Sequence, residues 1–133
     1  MDHLIAAYLE TDYWVNVDVN TKICIHIDQF HPRLDQLLVK HRATHWAYLT
    51  AWNPYSKPLS FTENQALNTK LITQFAGKTY FLGKGVSQKG NWWEASFLVL
   101  DIAVVTAKLL GQEFQQKAIL VGQRGKKAQL CFC

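Results

Sequence analysis

Nothing in this chain approaches the roughly 20 consecutive apolar residues that a membrane-spanning helix requires. At the N-terminus, Asp2 and Glu10 flank a short apolar run, where a secretory leader would show a basic start, an apolar segment and a cleavage site. A cytoplasmic address with no membrane partner is therefore expected. Cysteine is scarce: Cys24, Cys131 and Cys133 are an odd number without a secreted setting, which favours reduced thiols over a disulfide framework. Charge is sparse as well, at 18% of residues, and the formal net charge of +4 is scattered except at Lys84, Lys89 and Arg124-Gly125-Lys126-Lys127. That is a weak pull toward anions, so nucleic acid is allowed and not indicated. There is no Gly-Lys-Ser/Thr phosphate loop and no spacing that completes a known nucleophile constellation, so no cofactor is expected and catalytic residues stay unassigned.

What is present suits one folded domain, residues 1–133. Hydrophobic residues make up 49% of the chain and aromatic residues 13%, enough for a single core, and no Pro/Ser-rich linker divides it. A short helix is predicted over residues 2–10. Tyr13, Val15, Val17 and Val19, then Ile23, Ile25 and Ile27, alternate with polar residues around a turn near Asn20-Thr21, the pattern of a hairpin with one buried face. Pro32 suits a first helical turn, and Leu34, Leu37, Leu38 and His41 follow at helical spacing to an end near Arg42.

Beyond it the pattern reads strand 45–52, helix 61–75, strand 79–82, strand 96–100, helix 102–114, strand 118–121 and a last strand 128–132. Two successive strand-helix-strand units predict an α+β fold: a ferredoxin-like split core, with an N-terminal helix, β-hairpin and helix added and an extra C-terminal strand. In that arrangement the first and third core strands are antiparallel neighbours. Trp52-Asn53-Pro54 and Trp93-Glu94 should then meet, with the start of the 61–75 helix, Gly83-Lys84-Gly85 and Gln116 along the same rim.

These residues carry a resemblance. The run Thr50-Ala51-Trp52-Asn53-Pro54-x-Ser56, Ser60-x-x-Glu63-Asn64 with Asn68, Gly83-x-Gly85, Trp93-Glu94-x-Ser96-Phe97-Leu98-Val99 and Phe114-x-Gln116-x-Ala118-Ile119 together resemble a bacterial family known only as domain of unknown function thirty-two ninety-three. The likeness extends over nearly the whole chain. It implies a compact domain and assigns no chemistry.

Each motif residue has a bland and a functional reading. Ser60-Phe61-Thr62-Glu63 fits a capping box. Asn53 before Pro54 shapes a turn or binds a ligand, and Asn64 and Asn68 present two amides one helical turn apart or are simply exposed. Glu94 stands beside two tryptophans before an apolar strand, surroundings that raise a carboxylate's pKa and suit it to acid or base work. The segment 83–91 reads as a long connection able to act as a lid or wrap an anion. Cys131 and Cys133 share a strand face, which permits metal chemistry if Cys24 or His26 comes close, though small packing residues explain them as well; His41 and His45 straddle a helix exit, so no metal site is expected.

Trp46, Tyr48, Thr50 and Trp52 share one face of their strand. Left open, that face would be a stacking platform for nucleic acid, but the hairpin must bury its valines and isoleucines somewhere, so a covered face and no nucleic-acid partner are expected. The reading that follows is a polar small molecule or short peptide bound at the rim by Trp52, Asn53, Ser56, Asn64, Trp93, Glu94 and Gln116. The alternative is a protein-interaction or structural module in which the same residues lock loops together. A site leaves amides pointing into an open cleft; a lock buries them fully paired.

Overall fold

The structure, a computed structural model, describes residues 3–133. Its elements run α1 (His3–Leu9), β1 (Thr11–Asn16), β2 (Lys22–Ile25), α2 (Pro32–Lys40), β3 (His45–Leu49), a one-turn 3-10 helix (Pro54–Ser56), α3 (Phe61–Gln74), β4 (Tyr80–Ser87), β5 (Trp93–Leu100), α4 (Val104–Glu113), β6 (Ala118–Gln123) and β7 (Gln129–Phe132). The expected helix start at Asp2 lies outside the described residues. The strands form one antiparallel sheet in the order β2-β1-β4-β5-β3-β6-β7, so the fold is mixed α+β. No helix among the described residues is long and apolar enough to cross a membrane.

Alternation along β3 sets the two layers. Trp46 and Tyr48 point to a core shared with Tyr13, Val15, Ile23 and Ile25 of the hairpin and with Leu34, Leu37 and Leu38 of α2. Ala47, Leu49 and Ala51 point the other way, against Leu71 and Phe75 from α3 and Ala107, Leu110 and Phe114 from α4. Small residues on that side let the helices pack closely, as the alanine pattern predicts. The other face is covered too: Trp46 and Tyr48 are buried, which removes the open stacking platform the nucleic-acid reading required. Gly122 lies opposite Trp46 in the β3–β6 ladder, and a Cβ there would collide with the indole ring.

The segment expected to leave the second core strand as a long loop is instead strand. Gly83, Lys84 and Gly85 sit within β4 and pair on both sides, with β1 and with β5, leaving only a short connection before Trp93. A Cβ at Gly83 would strike the Trp14 carbonyl and the Tyr48 ring, so glycine here serves close approach inside a sheet. A lid built from that segment has no basis in this geometry. In the edge strand β7 and just after it, Cys131 and Cys133 pack against the α3/α4 core as small, partly buried apolar side chains.

Candidate functional site

At the rim where β3 ends, backbone groups that lose their strand partners find side chains. The inward stripe of α3 is Asn64, Asn68, Leu71 and Phe75, so its first half faces the sheet with amides and its second half with hydrocarbon. Asn68 accepts from Ala51 N at 2.8 Å and donates to Ala95 O at 2.9 Å, while Thr50 Oγ1 donates to the same carbonyl at 2.7 Å. Asn64 accepts from Asn53 N at 2.7 Å and donates to Asn53 Oδ1 at 2.7 Å. Asn53 Oδ1 also accepts from Leu59 N at 3.0 Å. Asn64 is 1% exposed and Asn68 5%, so the solvent-facing reading of this pair gives way to a buried one. Their job is to replace missing strand partners, because an unpaired buried amide costs as much as a lost hydrogen bond.

The lock holds a strained turn. Asn53, Tyr55 and Ser56 all have left-handed backbone, with φ of 47°, 55° and 60°. Side chains with a Cβ adopt that region only at a cost of about 1–2 kcal/mol each. Besides the asparagine pair, Tyr55 N donates to Gln115 O at 2.8 Å and Gln116 Nε2 donates to Trp52 O at 3.1 Å, tying the turn to the start of β6. The capping box is present: Ser60 Oγ accepts from Glu63 N at 3.1 Å, and Ser60 N donates to Glu63 Oε1 at 3.2 Å. Bonds from Ser60 hold the exposed Glu63 carboxyl below the ordinary glutamate value, which identifies it as a cap.

Trp93 and Glu94 are neighbours in β5 and therefore point to opposite faces of the sheet. On one face the Trp52 and Trp93 rings lie 5.2 Å apart, Phe61 stands 5.8 Å from Trp52, and Lys84 Nζ sits 4.5 Å over Trp93. Trp52 is buried and Trp93 is 42% exposed, making the wall of a shallow groove.

The other face holds a crevice of about 610 Å³, lined by His3, Ala7, Tyr8, Asn53, Ser56, Trp92, Glu94 and Lys117. It narrows to an inner chamber of about 70 Å³ bounded by Tyr13, Tyr48, Thr50, Ser96 and Gln116. Glu94 faces this space, and desolvation pushes its carboxyl up to about 7. No hydrogen bond or ion pair reaches that carboxyl from the described residues, whereas three of the hydroxyls around it are already donating. Tyr13 donates to Tyr8 O at 3.1 Å, Tyr48 to Trp14 O at 2.7 Å and Ser96 to Glu94 O at 3.1 Å. Burial raises the phenol of Tyr8 to about 12 and those of Tyr13 and Tyr48 further, so all three stay neutral. Three of the surrounding hydroxyl protons are thus taken up by backbone carbonyls, while Tyr8, Ser56 and Lys117 bring further donors to the same space. Among the described residues that line it there is no cysteine and no second carboxylate to pair with Glu94 in acid–base chemistry.

All seven residues expected at the site lie along this rim, divided by the sheet. Glu94, Ser56, Asn53 and Gln116 border the crevice, Trp93 lines the opposite groove, and Trp52 and Asn64 are buried in the joint between them. Tyr8 escaped sequence reasoning. It comes from α1, and nothing in the short apolar run around it marks a ring destined to cover a site 86 residues away in sequence.

The family model described as "Protein of unknown function (DUF3293)" matches residues 49–119, and the chain belongs to that family. The match is narrower than the motif likeness suggested: it takes in the asparagine lock, the two tryptophans and Glu94, and leaves out α1, the hairpin, α2 and β7. No curated protein and no solved structure matches the chain.

Proposed function

We propose that this member of a family of unknown function binds a small molecule or short peptide bearing a protonated amine, held in the crevice by Glu94. The observation that carries the reading is a desolvated carboxyl, open to a cavity, with no partner among the described residues. Buried carboxylates in folded proteins are normally paired. An ammonium supplies the missing charge, and the oxygen of Tyr13, whose proton is engaged with Tyr8 O, keeps a lone pair for one of its remaining N–H groups. The rings of Tyr8 and Trp92 at the mouth add cation–π attraction, and Lys117 stands there for an anionic end of the same ligand.

The scaffold reading that goes with this is a ferredoxin-like core, β6-β3-β5-β4 carrying α3 and α4, extended by the hairpin on one edge and β7 on the other. In the same reading the protein is a bacterial cytoplasmic one. Nuclear magnetic resonance titration with small primary amines, and with a dipeptide against its N-acetylated form, tests the proposal. Amines should shift the signals of Tyr8, Trp92 and Glu94 and lower the Glu94 pKa, and Glu94→Gln should abolish both effects. Equal binding of the acetylated dipeptide would contradict it.

A further inference from the structure

We propose that Asp12, Cys24 and His26 form a metal site on the open face of the hairpin, and that Zn²⁺ is the ion their donor set suits. This departs from the expectation of no metal, and it involves a different cysteine partner from the Cys131/Cys133 pair. The alternation that buries Tyr13, Val15, Ile23 and Ile25 turns Asp12, Cys24 and His26 to the other side, where each is half-buried. Cys24 and His26 are two residues apart and share a face. The register Trp14↔Cys24 and Tyr13↔Ile25 brings Asp12 across from His26.

One donor atom from each residue lies within 4.8 Å of the other two. A tetrahedral ion with bonds of about 2.0–2.3 Å holds its ligand atoms roughly 3.3–3.8 Å apart, so binding would open the His26–Asp12 contact a little and draw in the most distant pair, small side-chain adjustments on an exposed face. His26 Nε2 is 2.7 Å from Asp12 Oδ1 and 3.7 Å from Cys24 Sγ. Both contacts fall on one ring nitrogen, which argues against a nucleophile relay, where thiol and carboxylate must take opposite nitrogens. Convergence of thiol, imidazole and carboxylate on one point is instead what a shared cation accommodates. Gln88 Nε2 donates to Asp12 Oδ1 at 3.1 Å and would orient the carboxylate from outside the ligand set. Exposure of the cluster leaves a fourth position for water. Coordination would transfer the thiol proton to solvent and leave Asp12 ionised and His26 neutral, with no change in oxidation state.

Cobalt(II) titration of the metal-free protein is the test, because a cobalt–thiolate bond has a near-ultraviolet charge-transfer band. One equivalent should produce the band, excess zinc should remove it, and the Cys131→Ser/Cys133→Ser double variant should keep it. Cys24→Ser should lose the band while far-ultraviolet circular dichroism is unchanged. His26→Ala should weaken zinc binding by more than the roughly 10- to 100-fold that loss of an outer partner costs. If Cys24→Ser does not fold, Asp12→Asn takes its place, with reduced affinity expected. Absence of the band, its survival in Cys24→Ser, or its loss in the Cys131/Cys133 variant would overturn the assignment.

Discussion

The two sides of the rim differ in how their polar atoms are satisfied. Around Asn53, Asn64 and Asn68, side-chain amides are bonded to backbone or to each other and two of the three residues are nearly inaccessible. Around Glu94, one sheet face away, a carboxyl stands in a cavity without a partner among the described residues, and the protons of Tyr13, Tyr48 and Ser96 are committed to backbone. Both sides are built from polar residues in the same motifs. Pairing separates them: the satisfied side supports the fold, holding a left-handed turn in place, and the unsatisfied side is left for a ligand.

The contrast breaks most readily on the locked side. Asn64→Ala leaves Asn53 N without its acceptor and takes one of two donors from Asn53 Oδ1, loosening the turn, and should lower stability by about 3 kcal/mol in urea denaturation, since a buried group left unpaired costs about 1–3 kcal/mol. A loss below 1 kcal/mol would mean that solvent replaces the amide and that the lock is not one.

Glu94→Gln should act in the opposite direction. Glu94 ionises at the ordinary 4.5 in the unfolded chain but near 7 in the fold, so the folded state keeps its proton longer. Stability is therefore full below the lower value, falls as pH rises between the two, and levels off above the upper. The glutamine variant lacks that fall and should exceed the parent by about 3 kcal/mol at pH 8, with little difference at pH 4. Parallel denaturation curves at the two pH values check it, and a destabilised glutamine variant at pH 8 would show that the carboxylate has a partner.

Asn53 sits on the boundary, bonded to the lock and bordering the crevice. Asn53→Ala should cost about 2 kcal/mol in ligand-free protein, because it leaves Leu59 N without its acceptor and Asn64 Nδ2 with only the longer bond to Leu59 O. An unchanged melting temperature would move Asn53 to the ligand side of the comparison. The smallest effect belongs to the cap, where Ser60→Ala should cost about 1 kcal/mol by thermal melting.

Much of this was legible along the chain, for physical reasons that also explain the remainder. Alternation around Val15 and Ile25 and along β3 marked the buried faces, because a period of two survives any detail of packing. The contact of Trp52 with Trp93 followed from strand order alone. Strand length did not: Gly83 and Gly85 carry the local signature of a loop, and only the Tyr48 ring and the Trp14 carbonyl, distant in sequence, explain them as strand. The spacing of Asn64 and Asn68 announced a shared helical face without saying that it points inward, since amides suit both solvent and a sheet end with unpaired backbone. Trp93 and Glu94 looked like one site as adjacent letters, yet the pleat that alternates side chains sends them to different cavities. Tyr8 depends on tertiary placement that local pattern does not encode, and the meeting of Asp12 with His26 on the hairpin's register, which alternation alone leaves open.

The most direct test of the division between the two sides is the titration of the Glu94 carboxyl carbon by nuclear magnetic resonance in ligand-free protein. The account predicts a midpoint near 7, far from the ordinary value of 4.5. A midpoint at or below 4.5 would show that the carboxylate is paired or solvated like any surface glutamate, and the crevice would lose its claim to a cationic ligand.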